Sequence, residues 1–207
     1  MNNFILPGKI NVLIGCEYSG RVREAFNLPG FNAVSCDFEP TDISGKHYQG
    51  NIFDIINQGW DVLISFPPCT FLCSSGARWF KNRKKQQNDS LQFFIKLYSF
   101  NIKFIALENP VGVISTKFKK PDQIIQPWMF GDGFQKSTCL WLKNLPTLVA
   151  DNIVDGRYQF THLISPNKNR SKIRSLTYPG IARAMGSQWS DFLLKQDILK
   201  KQTLPEI

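Results

Sequence analysis

Several things are scarce in this chain, and each scarcity excludes a class of protein. No window approaches the roughly 18 consecutive apolar residues that a membrane helix needs, and the first residues show no charged stretch followed by an apolar signal segment. The expectation is a soluble, intracellular protein of the cytoplasm. Histidine occurs only twice, as His47 and His162. There is no Cys-x-x-Cys pair, Cys69 and Cys73 being four apart, so no metal site is expected. The five cysteines are odd in number and irregularly spaced, which argues against a disulfide framework and for a reducing compartment. No internal repeat or low-complexity tract is present. Acidic residues are also few: 16 against 25 Lys plus Arg, a formal net charge of +9. That excess favours a polyanionic partner such as nucleic acid, although it could serve solubility alone.

What is present reads as one α/β domain. With 207 residues, 43% hydrophobic and 20% charged, the chain is long enough to bury a core and ordinary in composition. Lys9 to Gly15 reads as a first strand, and a helix begins near Gly20 with Val22 and Phe26 on one face. Asn32 to Asp37 is a second strand, Gly50 to Asp54 a short third, and Trp60 to Ser65 a fourth. A helix is expected from about Ser90 to Phe100 through Leu91, Phe94, Ile95 and Tyr98, then a strand Phe104 to Leu107 and another over Lys136 to Leu142. Pro179 opens a last helix, since proline suits a first helical turn. Strands alternating with helices indicate a mainly parallel sheet, Rossmann-like, with helices on both faces. The expected division is 1–148 plus 179–192 as the catalytic domain, an irregular basic segment 149–178, and a frayed tail 193–207.

Chemistry is concentrated where strands end. The turn Cys16-Glu17-Tyr18-Ser19-Gly20 joins a strand to a helix, the arrangement that surrounds a nucleotide with free amides, but it lacks G-x-G-x-x-G and many such turns bind nothing. Asp37 closes the second strand, where an acid can accept from ribose hydroxyls; a surface-turn aspartate is the plain alternative. In Ser65-Phe66-Pro67-Pro68-Cys69-Thr70 two prolines fix φ and remove two amide donors, so Cys69 leaves the strand on a stiff extended turn. It is either a placed nucleophile or a small half-buried residue. Glu108-Asn109-Pro110 ends the next strand, and in an open parallel sheet the carboxyl ends of neighbouring strands converge on one crevice. Thr70 to Lys85, with Ser75, Arg78 and Trp79, reads equally as a mobile loop against a phosphate backbone or as a solvated helix start. The same two readings, phosphate-contacting surface or solvated loop, apply to Arg157, Lys168, Arg170, Lys172 and Arg174.

The ordered set Cys16-Glu17-Tyr18-Ser19-Gly20, Pro67-Pro68-Cys69, Glu108-Asn109-Pro110 and Lys136-x-Thr138-x-Leu140-Trp141 resembles the cytosine-5 DNA methyltransferase family, above all its compact phage and prophage members. The resemblance implies a Rossmann-like enzyme that uses S-adenosylmethionine and acts on DNA, in the host cytoplasm if phage-encoded. It implies Cys69 as the nucleophile that adds to C6 of cytosine and Glu108 as the acid that holds the ring at N3. It places the cofactor at Cys16, Glu17, Tyr18, Ser19, Gly20 and Arg21, with Asp37, Asn51 and Pro67. Pro68, Asn109, Ser75, Arg78, Arg157 and Arg174 fall on the substrate side. The chain departs from the family at its first glycine-rich loop, at Asn51 where an acid is usual, in lacking Gln-x-Arg-x-Arg, and in having only Val149 to Tyr178 where a target-recognition domain would stand. Those departures leave three further expectations open: C5 modification of a free or single-stranded cytidine nucleotide, a catalytically silent nucleic-acid-binding relative, and a protein partner that supplies target recognition.

Overall fold

Period-two alternation in the strands determines how the layers are built. A computed structural model describes residues 3–158 and 170–203. Its strands are β1 (Ile10–Gly15), β2 (Phe31–Asp37), β3 (His47–Gln49), β4 (Val62–Ser65), β5 (Phe104–Pro110), β6 (Gln123–Ile125) and β7 (Thr138–Lys143). They form one mixed sheet in the order β3-β2-β1-β4-β5-β7-β6. All pairings are parallel except those of β7, which runs antiparallel to both β5 and β6. The helices are α1 (Arg21–Ala25), α2 (Lys84–Tyr98), α3 (Ile114–Lys117), α4 (Arg170–Ser175) and α5 (Pro179–Thr203), with 3-10 turns at Ile52–Asp54, Ile56–Gln58, Ser74–Asn82 and Pro127–Met129.

Alternate residues feed two separate cores. Val12, Ile14, Val62, Ile64, Ala106, Leu140 and Leu142 pack against Val22 and Phe26 of α1 and Ile181, Met185 and Trp189 of α5. Leu13, Leu63, Ile105, Leu107, Cys139 and Trp141 face the other way, against Leu91, Phe94 and Leu97 of α2 and Ile114 of α3. The expected fold class therefore holds: a Rossmann-like mixed sheet with helices on both faces. The two fully buried tryptophans satisfy their N–H groups, Trp141 on the Lys119 carbonyl at 2.7 Å and Trp189 on that of Pro146 at 3.0 Å, as does buried Trp60 on that of Ile55 at 2.8 Å. Truncating either to alanine would cost about 3–5 kcal/mol. The α1 and α5 helices touch closely because position 186 is glycine; a Cβ there would lie 2.4 Å from the Ala25 carbonyl.

Element boundaries moved in five places. The third strand is His47–Gln49, not Gly50 to Asp54: the Asn51 side chain accepts from the Phe53 N–H at 3.1 Å and caps a 3-10 turn instead. The α2 helix starts at Lys84, because Lys84 to Gln87 are good helix formers whose charge had allowed a loop reading. The β5 strand continues through Glu108, Asn109 and Pro110, as β7 pairs with all three. The three-residue β6 is too short to show a period in sequence. The α5 helix runs to Thr203, through the point where a tail was expected to begin. Within 149–178, single bridges tie Asn152 to Phe130 and Tyr158 to Phe134, and α4 occupies Arg170–Ser175; Lys168 lies outside the described residues.

Among the described residues no helix is long and apolar enough to cross a membrane, and no group of three or more His, Cys, Asp and Glu could hold a metal ion.

Candidate active site

The strand order reverses at β1, which has β2 on one side and β4 on the other, and crevices in doubly wound sheets open outside the carboxyl ends of strands at such a point. The turn Cys16 to Gly20 stands there. Cys16 takes a positive φ of 56° and Gly20 one of 74°. The Cys16 thiol bonds to the Ser65 side chain, and burial pushes its pKa up to about 12. Glu17 is only 4% exposed. Its Oε1 accepts from the Ser19 hydroxyl and from the Val22 N–H at 3.4 Å, while Oε2 is buried without a partner. Desolvation raises the Glu17 pKa above the ordinary value, with Ser19, Val22 and Arg23 pulling the other way. A buried carboxylate thus fills the strand-to-helix turn in which nucleotide folds seat a phosphate.

Asp37 ends β2 beside this turn, close enough to act electrostatically on Cys16 and Tyr18. It accepts the Glu39 N–H at 3.0 Å, and burial holds its carboxyl above the usual range. Asn51 follows immediately, since the Gly50 N–H bonds to the Asp37 carbonyl at 2.8 Å. Two residues unnoticed in sequence complete this side. Phe38 is 72% exposed at the strand mouth, an open aromatic face of the kind on which bases stack. Arg23 is buried and donates to the Ser35 and Thr41 hydroxyls and the Ile43 and Ser44 carbonyls, so one guanidinium organises the loop after β2. No periodicity marks Arg23, because a charged residue on a short helix reads as solvated.

The second half of the crevice is built by β4 and β5. Ser65 pairs with Leu107, so the prolines leave β4 alongside Glu108. Asn109 is fully buried, and its Nδ2 donates to the Pro67 carbonyl at 2.7 Å. Its role in the structure is to fasten the two strand ends together. Beyond them the loops are stitched by backbone: Ser74 N–H to Val111 O at 3.0 Å, Val113 N–H to Leu72 O at 2.9 Å, and a bridge between Cys73 and Gly112. Only glycine fits at 112, where a Cβ would lie 2.0 Å from the Leu72 carbonyl oxygen. Cys69 itself turns the chain, its carbonyl accepting from the N–H groups of Leu72 and Cys73, both at 2.9 Å. Pro68 and Thr70 beside it are exposed and Pro67 is buried.

Cys69 and Glu108 therefore share one site. Burial raises the Cys69 pKa first and the Glu108 charge raises it further, while Lys136 lowers it. Burial likewise lifts Glu108 above its ordinary value, against Lys136 and a hydrogen bond from Thr138. A small cleft beside them is lined by Phe66, Glu108, Lys136, Thr138, Tyr178 and Ile181. Lys136 and Thr138 entered the sequence reading only as part of the pattern Lys136-x-Thr138-x-Leu140-Trp141, without a role, and Tyr178 had none; adjacency to Glu108 arises from the antiparallel β7 pairing, which sequence spacing does not reveal.

The remaining candidates lie further out. Ser75 and Arg78 are exposed on the 3-10 turn Ser74–Asn82, Ser75 with its hydroxyl 3.1 Å from the Cys73 sulfur. Arg157 stacks over the Trp128 ring, 3.8 Å from its centroid, and donates to the Val154 carbonyl at 2.6 Å. Arg174 is half-buried, and its carbonyl receives the Lys136 ammonium at 3.2 Å. The segment around it also touches the turn from Cys16 to Arg21: Tyr18 Oη donates to the Lys172 carbonyl at 2.8 Å and Arg21 to that of Thr177 at 2.7 Å.

No protein-family model matches the chain, and no curated protein matches it. Among solved structures it is similar to the methyltransferase EhMeth of Entamoeba histolytica, at 15% identity and a TM-score of 0.49, over 79% of this chain and 62% of that one. It is also similar to a triple mutant of DNMT2 from Spodoptera frugiperda, at 15% identity and a TM-score of 0.40, over 76% of this chain and 60% of the other. The chain thus spans about three fifths of the length of each of these structures.

Proposed function

We propose that this protein transfers a methyl group from S-adenosylmethionine to C5 of cytosine in DNA, through a temporary bond between Cys69 and C6. The observation that carries the reading is the fastening of the strand ends that carry a proline-braced thiol and a half-buried carboxyl group by the Asn109 to Pro67 bond of 2.7 Å. The residues of the cofactor side fit a cation. The buried Glu17 carboxylate, with its unpartnered Oε2, opposes a diphosphate and favours a positively charged sulfur or ammonium group nearby. Asp37 offers a carboxylate to a ribose, and exposed Phe38 offers a face to a base. When bound there, S-adenosylmethionine supplies an electrophilic methyl group.

Cytosine C5 is a poor nucleophile while the ring is aromatic. A soft thiolate is the best available group to saturate the 5,6 bond. As the Cys69 sulfur bonds to C6, the π electrons move toward C5 and N3, and Glu108, whose hold on a proton burial strengthens, gives N3 its proton. The C5 carbon then accepts the methyl group. Loss of the C5 proton to solvent, expulsion of the Cys69 thiolate and return of the N3 proton to the Glu108 carboxylate restore the ring. Reaching C6 requires the base to leave any stack, and the exposed basic stretch Arg78 to Lys85 offers charge for the backbone that remains.

A second reading, C5 modification of a single-stranded or free cytidine nucleotide, is favoured by one observation: only the segment 149–178 lies between the Leu148 end of the β7 region and α5, where duplex recognition would have to be housed. A protein partner supplying recognition is the other way to meet that need. The test is trapping with cofactor and 5-fluorocytosine in duplex, single-stranded and mononucleotide form. A covalent adduct on Cys69, lost in Cys69→Ser, is expected, and the best-trapped form identifies the substrate. Methyl transfer retained by Cys69→Ser, or absence of S-adenosylmethionine binding by calorimetry, would overturn the proposal. Binding of DNA with a steep salt dependence but no transfer to any of the three forms would mark a silent relative.

A further inference from the structure

Among the described residues the cleft beside Glu108 is lined by one cation, Lys136, and the function proposed above gives it no role. We infer that Lys136 is a positioning residue of the active site, its ammonium held where Cys69 and Glu108 meet so that a thiolate can form beside a carboxyl group. The inference rests on the assignment of Cys69 as the nucleophile, but its test does not need methyl transfer.

Three contacts fix Lys136 in place. Its N–H donates to Gln126 Oε1 at 2.9 Å, and the same Gln126 side chain donates to the Ser137 hydroxyl at 2.9 Å, so the backbone just before β7 is clamped. Thr138 pairs with Pro110, which sets this stretch against the far end of β5, beside Glu108. The side chain is then directed by the 170–178 segment: Nζ donates to the Arg174 carbonyl at 3.2 Å and lies 5.8 Å from the centre of the Tyr178 ring. The ammonium thus meets a carbonyl and an aromatic ring rather than a carboxylate, and its charge is left to act on the cleft.

Among the described residues the ionisable groups that act on Cys69 are Glu108, Cys73 and Lys136, of which Lys136 is the positive one. Lys136 is also the charge that acts on Glu108. Two acidic groups in one desolvated site would oppose each other's ionisation. A cation lining the same cleft as Glu108 offsets that opposition without a proton of its own moving. The 170–178 segment, which also bonds to Tyr18 and Arg21 of the cofactor-side turn, carries the anchor for this cation.

The test is the rate of iodoacetamide alkylation of Cys69, followed by peptide mass spectrometry across pH 7 to 10, with neither cofactor nor nucleic acid present. Lys136→Met is expected to slow Cys69 alkylation at pH 8 by roughly threefold to tenfold, as loss of a nearby opposite charge requires. Lys136→Arg should retain most of the wild-type rate. Lys136→Gln still offers a donor to the Arg174 carbonyl but no charge, so it should fold like the wild type in a thermal melt and yet be as slow as Lys136→Met. A wild-type alkylation profile in Lys136→Gln, or an equal loss in Lys136→Arg, would overturn the inference. If alkylation behaves as expected while 5-fluorocytosine trapping fails, the functional proposal falls and the role of Lys136 stands; the reverse pattern removes Lys136 only.

Discussion

At the scale of the residue, the proposed methyl transfer depends on two acids whose ordinary ionisation burial has displaced upward, Cys69 above 9.0 and Glu108 above 4.5. The arrangement that the proposed reaction requires has its proton on Glu108 and none on Cys69. It carries the same total charge as the dominant thiol and carboxylate form, so its fraction is independent of pH between the two displaced values. The expected profile of kcat/KM is a plateau, falling below the Glu108 limb and above the Cys69 limb, measured with the substrate that traps best. Glu108→Gln is expected to lower kcat by at least about 100-fold, the range of a lost general acid. Its stability should move the other way. A carboxyl raised by burial contributes stability below its unfolded value near 4.5, and that contribution is lost as pH rises through the folded value. Melting of Glu108→Gln should therefore match the wild type near pH 4 and equal or exceed it at pH 7.5. Both residues were legible in sequence, because Pro-Pro-Cys and Glu-Asn-Pro each follow a branched apolar run. Asn109 was legible only as a neighbour of Glu108: alternation turns it to the opposite face, and its burial and bond to Pro67 follow from the pairing of β4 with β5.

At the scale of the element, the loops after β4 and β5 behave as one unit. Gly112 is the point at which they touch, and Gly112→Ala would push a methyl group into the Leu72 carbonyl. The expected result is a loss of about 1–3 kcal/mol in urea unfolding, with a fall in Cys69 trapping larger than the stability change explains. Equal trapping in Gly112→Ala would show that the strand ends alone place the thiol. The strands whose runs are long, β1, β2, β4 and β5, could be read from alternation and branching. The β3 strand could not, since three residues carry no period and the Asn51 cap competes for the neighbouring stretch. The α2 start was hidden for a different reason: Lys84 and Lys85 are exposed, and a charged first turn looks the same as a charged loop until its hydrogen bonds are known.

At the scale of the molecule, a net charge of +9 acts as a field, and Arg78, Lys81, Lys84 and Lys85 present part of it from one exposed stretch next to Cys69 in the chain. Replacing Arg78, Lys81 and Lys84 together with glutamine should reduce the slope of log affinity against log salt for single-stranded DNA by about 2, from the loss of three phosphate contacts. Cys69 alkylation in the same variant should be unchanged, which separates backbone contact from damage to the site. An unchanged slope in a filter-binding series would move the nucleic-acid path elsewhere on the surface.

By itself the sequence determined the local facts: where apolar runs make strands, where prolines stiffen a turn, where an acid and a thiol follow those strands, and how much positive charge the chain carries. Each depends on near neighbours, and near neighbours are what a sequence lists. Only the tertiary structure decided that Asn109 fastens Pro67, that Gly112 sits against Leu72, that a buried carboxylate fills the first turn, and that Lys136 lines one cleft with Glu108. Those depend on strand order and on an antiparallel β7, which bring residues tens of positions apart into one desolvated crevice, and the energy that selects such an order is that of the two packed faces rather than of any motif.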